Sequence, residues 1–156
     1  MLETLKQLLT RFGEPDDTGT LDEEELRLAT AALLVRAAAI DGHVADGERS
    51  SLEAMMERHF GLDREEAEAL VAEAEARERA AIDIYSFTRV VQARLSPQAR
   101  RAIVTLMWEV VAADGEVHPY ESNLVWRAAE LVGVSTRERV LLRQDVFARL
   151  GMGGSF

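Results

Sequence analysis

The chain has 156 residues, the size of one domain able to bury roughly two-thirds of its unfolded surface. Hydrophobic residues at 47% against 29% charged exclude a disordered chain, because the apolar content can offset the entropy of ordering. The 18 basic and 28 acidic residues leave a net charge of −10, which disfavours nucleic acid as a partner. Zero cysteines remove disulfides, thiol nucleophiles and thiolate-bound zinc or iron–sulfur groups, leaving carboxylate, imidazole and hydroxyl for chemistry.

Residues 1–13 open the chain as an amphipathic helix, with Leu2, Leu5, Leu9 and Phe12 at helical spacing and Glu3, Lys6 and Arg11 as its charges. That basic face is too thin for anionic lipid, so the stripe is expected to pack on protein. No run of 18 apolar residues and no leader-type cleavage pattern is present, so a cytoplasmic protein without a transmembrane segment is expected. Residues 14–20 carry Pro15, Gly19 and a run of acids and read as an acidic linker. Thr20 with Glu23 then forms a capping-box pattern opening a helix over 21–41, and its apolar run from Leu28 to Ile40 predicts a central helix.

Leu52, Met55, Met56 and Phe60 mark a helix over 46–60, with Gly61 as its stop. Asp63 with Glu66 caps an acidic Ala/Glu helix over 64–80, and Ile84, Phe87, Val90, Val91 and Leu95 mark one over 83–95. Ser96 before Pro97 starts a helix over 97–114, and Pro119 opens one over 119–132. Ser135 with Glu138 caps the last, over 136–150, before a tail at 151–156 that should fray. No segment alternates with period two, so the fold expected is all-α, a multihelical bundle of about eight helices.

The chain repeats itself. At an offset of 73, LLVRAAAIDGHVADGERSSL (33–52) aligns with LMWEVVAADGEVHPYESNLV (106–125), placing Asp41 on Asp114, Gly42 on Gly115, Val44 on Val117 and Glu48 on Glu121. Each copy reads helix, D-G-x-V-x-x-x-E, helix, and Gly61-Leu62-Asp63 meets Gly133-Val134-Ser135 at offset 72. The expected domain at 21–150 therefore comprises repeat 1 over about 21–95 and repeat 2 over about 96–150, related by a pseudo-two-fold axis.

Helix-end chemistry explains most of the corner. Gly permits the left-handed backbone that stops a helix, Val turns inward, and Glu as the third helical residue reaches back to free N–H groups. Asp fits less well, since a negative charge at a helix C-terminus costs about 0.3–1 kcal/mol against the dipole. Its presence in both copies calls for an offsetting partner: an N–H group, an arginine or a cation.

The doubled D-G-x-V-x-x-x-E corner between apolar helices, over about residues 21–146, resembles the TerB-like family, which includes tellurite-resistance protein B and the N-terminal region of a DnaJ-like membrane co-chaperone. The resemblance implies a helical fold of two repeats, an acidic surface and a non-enzymatic stress-response role linked to metal. It also implies a protein partner, at a membrane-associated complex in the co-chaperone case. The acidic motif positions it carries over are Asp41, Glu48, Asp114 and Glu121; the first copy adds Asp46, whereas the second has Pro119 there and Glu116 earlier.

Two readings of these acids follow. If the corners converge, four carboxylates form an oxygen-only site suited to Ca, Mg or Mn, although not an EF-hand, because Gly follows Asp41 where that loop needs further oxygen ligands. Otherwise the acids are structural helix caps in a metal-free interaction or scaffold module, for which Trp126, just off its helix's apolar stripe, is the candidate partner contact. Such a module is compatible with a homo-oligomer. The three imidazoles, His43, His59 and His118, share no repeated position, and no phosphate loop, H-E-x-x-H or G-x-S-x-G occurs, so no catalytic residue is assigned.

Overall fold

A computed structural model describes residues 17–39, 44–81, 83–113 and 115–151, the side chains of 17–22 excepted. Among these residues it holds seven helices and no strand: α1 (Asp17–Ala38), α2 (Asp46–Phe60), α3 (Arg64–Ala80), α4 (Tyr85–Arg94), α5 (Pro97–Val111), α6 (Pro119–Val132) and α7 (Thr136–Arg149). The eighth helix expected, over 1–13, and the fraying expected of the tail beyond Gly151 lie outside the described residues.

The sequence places the start of the first described helix four residues too late. It begins at Asp17, so Thr20 stands inside the helix and cannot be its cap, and 17–20 are not linker. Gly19 misleads because a glycine weakens a helix by only about 1 kcal/mol, which a long buried helix carries easily. At the other end α1 stops at Ala38, short of residue 41, the Ala39 N–H still donating to Val35 O at 2.8 Å. In the same way α5 ends at Val111, where the Ala112 and Ala113 N–H groups close a turn on Trp108 and Val110.

Central position is borne out for α1, which packs against α2, α3, α4, α5 and α6. Seven consecutive residues, Ala29 to Val35, are each at most 3% exposed, so two turns are buried all round. Of the six alanines among the thirteen residues from Leu28 to Ile40, the five at 29, 31, 32, 37 and 38 are buried and let neighbouring backbones approach.

Helices α1, α2 and α3 pack pairwise, as do α5, α6 and α7, and α4 bridges α1 and α6. The ends of corresponding helices match in chemistry. Gly61 and Gly133 close α2 and α6 in the left-handed conformation, at φ 66° and 88°. The two following helices open on the predicted capping boxes: Glu66 N–H to Asp63 at 2.8 Å with Asp63 N–H to Glu66 at 3.0 Å, and Glu138 N–H to Ser135 Oγ at 3.2 Å. Ser96 caps α5 through the Ala99 N–H at 3.2 Å, with Pro97 first in the helix.

The second triad is centred on Trp108, fully buried, with Phe147 and Trp126 edge-on at 5.8 and 6.3 Å between ring centroids. Glu138 ties its ends together: one oxygen accepts from Ser135 N–H and Oγ–H, the other from Arg101 of α5 at 2.7 Å. The Ser135 hydrogen bonds, backed by Arg101, hold the Glu138 carboxyl below its usual 4.5. A depressed carboxylate stabilises the fold in full above the unfolded value and loses that contribution as pH falls through the folded one. The stability gap between wild type and Glu138→Gln, measured by urea denaturation across a pH series, is therefore expected to be constant at neutral pH and to shrink below about pH 4.5. A gap that does not change on acidification would contradict this.

Candidate functional site

The two repeated corners are the first place to look for chemistry. In the second, Gly115 takes φ 86° and its N–H donates to Ala112 O at 3.0 Å, while Val117 packs against the core. His118 stands at the cap, Pro119 is the first helical residue, and Oε1 of Glu121 accepts the His118 N–H at 2.9 Å. The reach-back expected of Glu121 is thus present. The His118 ring lies flat over Tyr120, at 6.0 Å and 10°.

In the first corner Val44 is buried and Glu48, exposed, is likewise the third residue of its helix. What fastens this corner is Arg49, to which the sequence reading gave no role. Its guanidinium donates to both oxygens of Glu75 on α3, at 2.6 and 2.9 Å, to Asp46 at 3.0 Å and to the Val44 carbonyl at 3.3 Å. Glu75 above all holds it still more firmly protonated than an ordinary arginine.

Asp41 and Asp114, and His43 with them, fall outside the described residues, so the convergence of Asp41, Glu48, Asp114 and Glu121 falls outside them too. Among the described residues no three His, Asp or Glu side chains come close enough together to hold a metal ion. Trp126 is half-buried, edge-on to Trp108 and beneath the Arg139 guanidinium of α7 at 5.4 Å. His59 packs edge-on to Phe60 at 4.7 Å, and desolvation lowers its proton affinity.

A feature the sequence reading missed lies between α1 and α3. There a groove of about 630 Å³ has Leu28, Leu62 and Leu70 along its walls and Glu24, Glu25, Glu66 and Glu73 around it, with Ala69 and Arg77 completing the lining. Arg27 also lines it and is 8% exposed, an unusual depth for a charge. Its support is thin: Glu23 stands 3.8 Å away, the Phe60 ring lies 5.7 Å from its guanidinium carbon, and its buried Nε has no acceptor. The groove offers apolar contact inside, negative charge at the rim and one buried donor awaiting an acceptor.

Two sequence signals mark it in retrospect. Buried Ala67, Val71, Ala74 and Glu78 form the stripe of α3, and Leu70 stands one residue off it. Arg27 sits between Leu26 and Leu28 where the apolar run of α1 begins. Nearer the C-terminus of α1 the same two helices are locked by Arg36, which donates to Glu78, itself 5% exposed.

Among the described residues the fold is an all-helical domain in which α1–α3 and α5–α7 each pack pairwise and α4 links α1 to α6. Its sequence matches the model of the family described as tellurite resistance protein TerB over residues 27–144, and the chain therefore belongs to that family. Comparison with curated proteins and with solved structures found no match for the chain.

A buried, under-paired charge contributes little to stability and is often replaced without loss by an apolar residue of similar volume. Arg27→Met is accordingly expected to be as stable as wild type or more so, by up to about 1–4 kcal/mol in urea denaturation. A marked loss of stability would mean that Arg27 serves the fold and not the groove.

Proposed function

We propose that the chain is a non-enzymatic, tellurite-resistance-type stress-response protein of the cytoplasm that works by protein contact through the groove between α1 and α3. The observation that carries this reading is the groove itself: a leucine-walled slot with four carboxylates around it and an unsatisfied buried arginine. Such a surface accepts a helical segment with an apolar stripe and basic flanks, the helix-in-groove mode of recognition. Family membership supports the tellurite-linked setting. The positions of His59 and His118, on α2 and at the cap of α6 and each engaged with its own neighbouring ring, support a role other than catalysis.

In a host lacking its own member of the family, wild-type protein is expected to restore growth on tellurite. Leu70→Asp, placing a charge on the groove wall, is expected to lose that protection at equal soluble level and equal helical content. Failure of wild type to protect removes the tellurite reading, and full protection by Leu70→Asp removes the groove.

A second reading links the repeated corners to a divalent cation, Ca, Mg or Mn, held by Asp41, Glu48, Asp114 and Glu121. What favours it is that Glu48 and Glu121 occupy the same third position of equivalent helices, each seven residues after an aspartate. A site filled at about a hundred times its Kd adds about 2.7 kcal/mol, a rise of roughly 5–10 °C in Tm for a chain of this size. Wild type in millimolar calcium, magnesium or manganese, compared with chelator, should show that rise and Asp114→Ala should not; an unmoved wild-type Tm eliminates the cation.

A further inference from the structure

We infer that the partner segment seated in the α1–α3 groove is a basic amphipathic helix lying parallel to α1 and α3, its N-terminus at Glu24, Glu25 and Glu66 and its C-terminus toward Arg77. This rests on the reading of the groove as a docking surface and adds the direction of what docks there.

The two walls give the groove a polarity. Arg36, in the last turn of α1, meets Glu78, in the last turn of α3, while Glu24 and Glu66, nearer the two N-termini, line one groove, so the helices run parallel. Charge is spread unevenly along them. Glu24, Glu25 and Glu66 gather toward one end; the buried Arg27, then Glu73 and Arg77, a pair 3.8 Å apart, follow toward the other. The slot grades from three carboxylates to a stretch with a small net positive charge.

A helix carries about half a positive charge at its N-terminus and half a negative one at its C-terminus, so a docked helix gains at both ends when it lies parallel to α1. The dipoles of α1 and α3 oppose this more weakly. Helix α1 begins about 10 Å before Glu24, and half a charge at the start of α3 does not cancel three carboxylates. Leu28, Leu62 and Leu70 call for an apolar stripe, and the α3 wall from Glu66 to Arg77 runs about 16 Å, three turns of a partner helix. Of the 28 acids 20 precede residue 82, against 9 of the 18 bases, so the field that attracts a cationic segment originates in the sequence around the first triad. The same field repels an anionic lipid surface.

The probe is an end-capped peptide of about 12 residues with leucines on one face and lysines spaced evenly along the other, whose side chains favour neither direction. With a nitroxide at its N-terminus, the amide signals of Glu24, Glu25 and Glu66 in the full-length protein are expected to weaken more than those of Ala76 and Arg77. A C-terminal nitroxide should give the reverse, with an orientation bias of about fivefold. Glu24→Gln/Glu25→Gln, at two exposed positions, should reduce the bias, and Leu70→Asp should abolish binding. The opposite order, or no preference, overturns the inference and leaves the groove standing when Leu70→Asp still abolishes binding. Binding that Leu70→Asp does not weaken puts the peptide elsewhere and overturns the direction and the groove together. No attenuation at all overturns the inference, and the growth assay with Leu70→Asp then reports on the groove separately.

Discussion

The structure depends on one helix being buried on every side. Two turns of α1 have no face left for solvent, so each residue there must satisfy a neighbour, and the neighbours are five of the other six helices. Small side chains make this possible. Alanines on either side of Leu33, Leu34 and Val35 let α3, α4 and α5 approach closely, as interiors packed as densely as crystals require. Once α1 is so enclosed, the other helices have little freedom in where they sit.

Charges inside this arrangement are placed by the same logic. Arg36 is the single charged residue between Leu28 and Ile40, and Glu78 falls on the buried stripe of α3; each would be costly alone, and together they join the two helices. Arg49 performs a related task at the first corner, joining α2, α3 and the Val44 carbonyl through one planar group. Glu138 does so at the start of α7. Arg27 is less well provided: it is 8% exposed, its nearest carboxylate, Glu23, stands 3.8 Å away, and its Nε, like those of Arg100 and Arg143, has no acceptor.

Much of the fold is legible in the sequence because its helix ends are written in local chemistry. Asp63 with Glu66, Ser96 with Pro97, Pro119 with Glu121 and Ser135 with Glu138 each name a start to the residue, and Gly61 and Gly133 name stops. Where the signal is a lone Gly or a pattern of apolar residues, as at Gly19 and at the ends of α1 and α5, the boundary drifts by three or four residues, since tertiary contact and not local preference decides it. The groove was not legible for a related reason. Arg27 and Leu70 are ordinary residues on their own helices and acquire meaning only when α1 and α3 are laid side by side. Arg36 and Glu78 lie 42 positions apart, and nothing in either segment names the other.

By sequence α1 belongs to the first triad, yet it packs on α5 and α6 of the second, and α4 spans the seam from the other side. The two triads are consequently not independent units. A fragment severed after α4 would separate α5 and α6 from α1 and bare apolar surface that the intact chain covers. A substitution on the α1-facing side of α5 or α6 is therefore felt by a helix that lies far earlier in the chain.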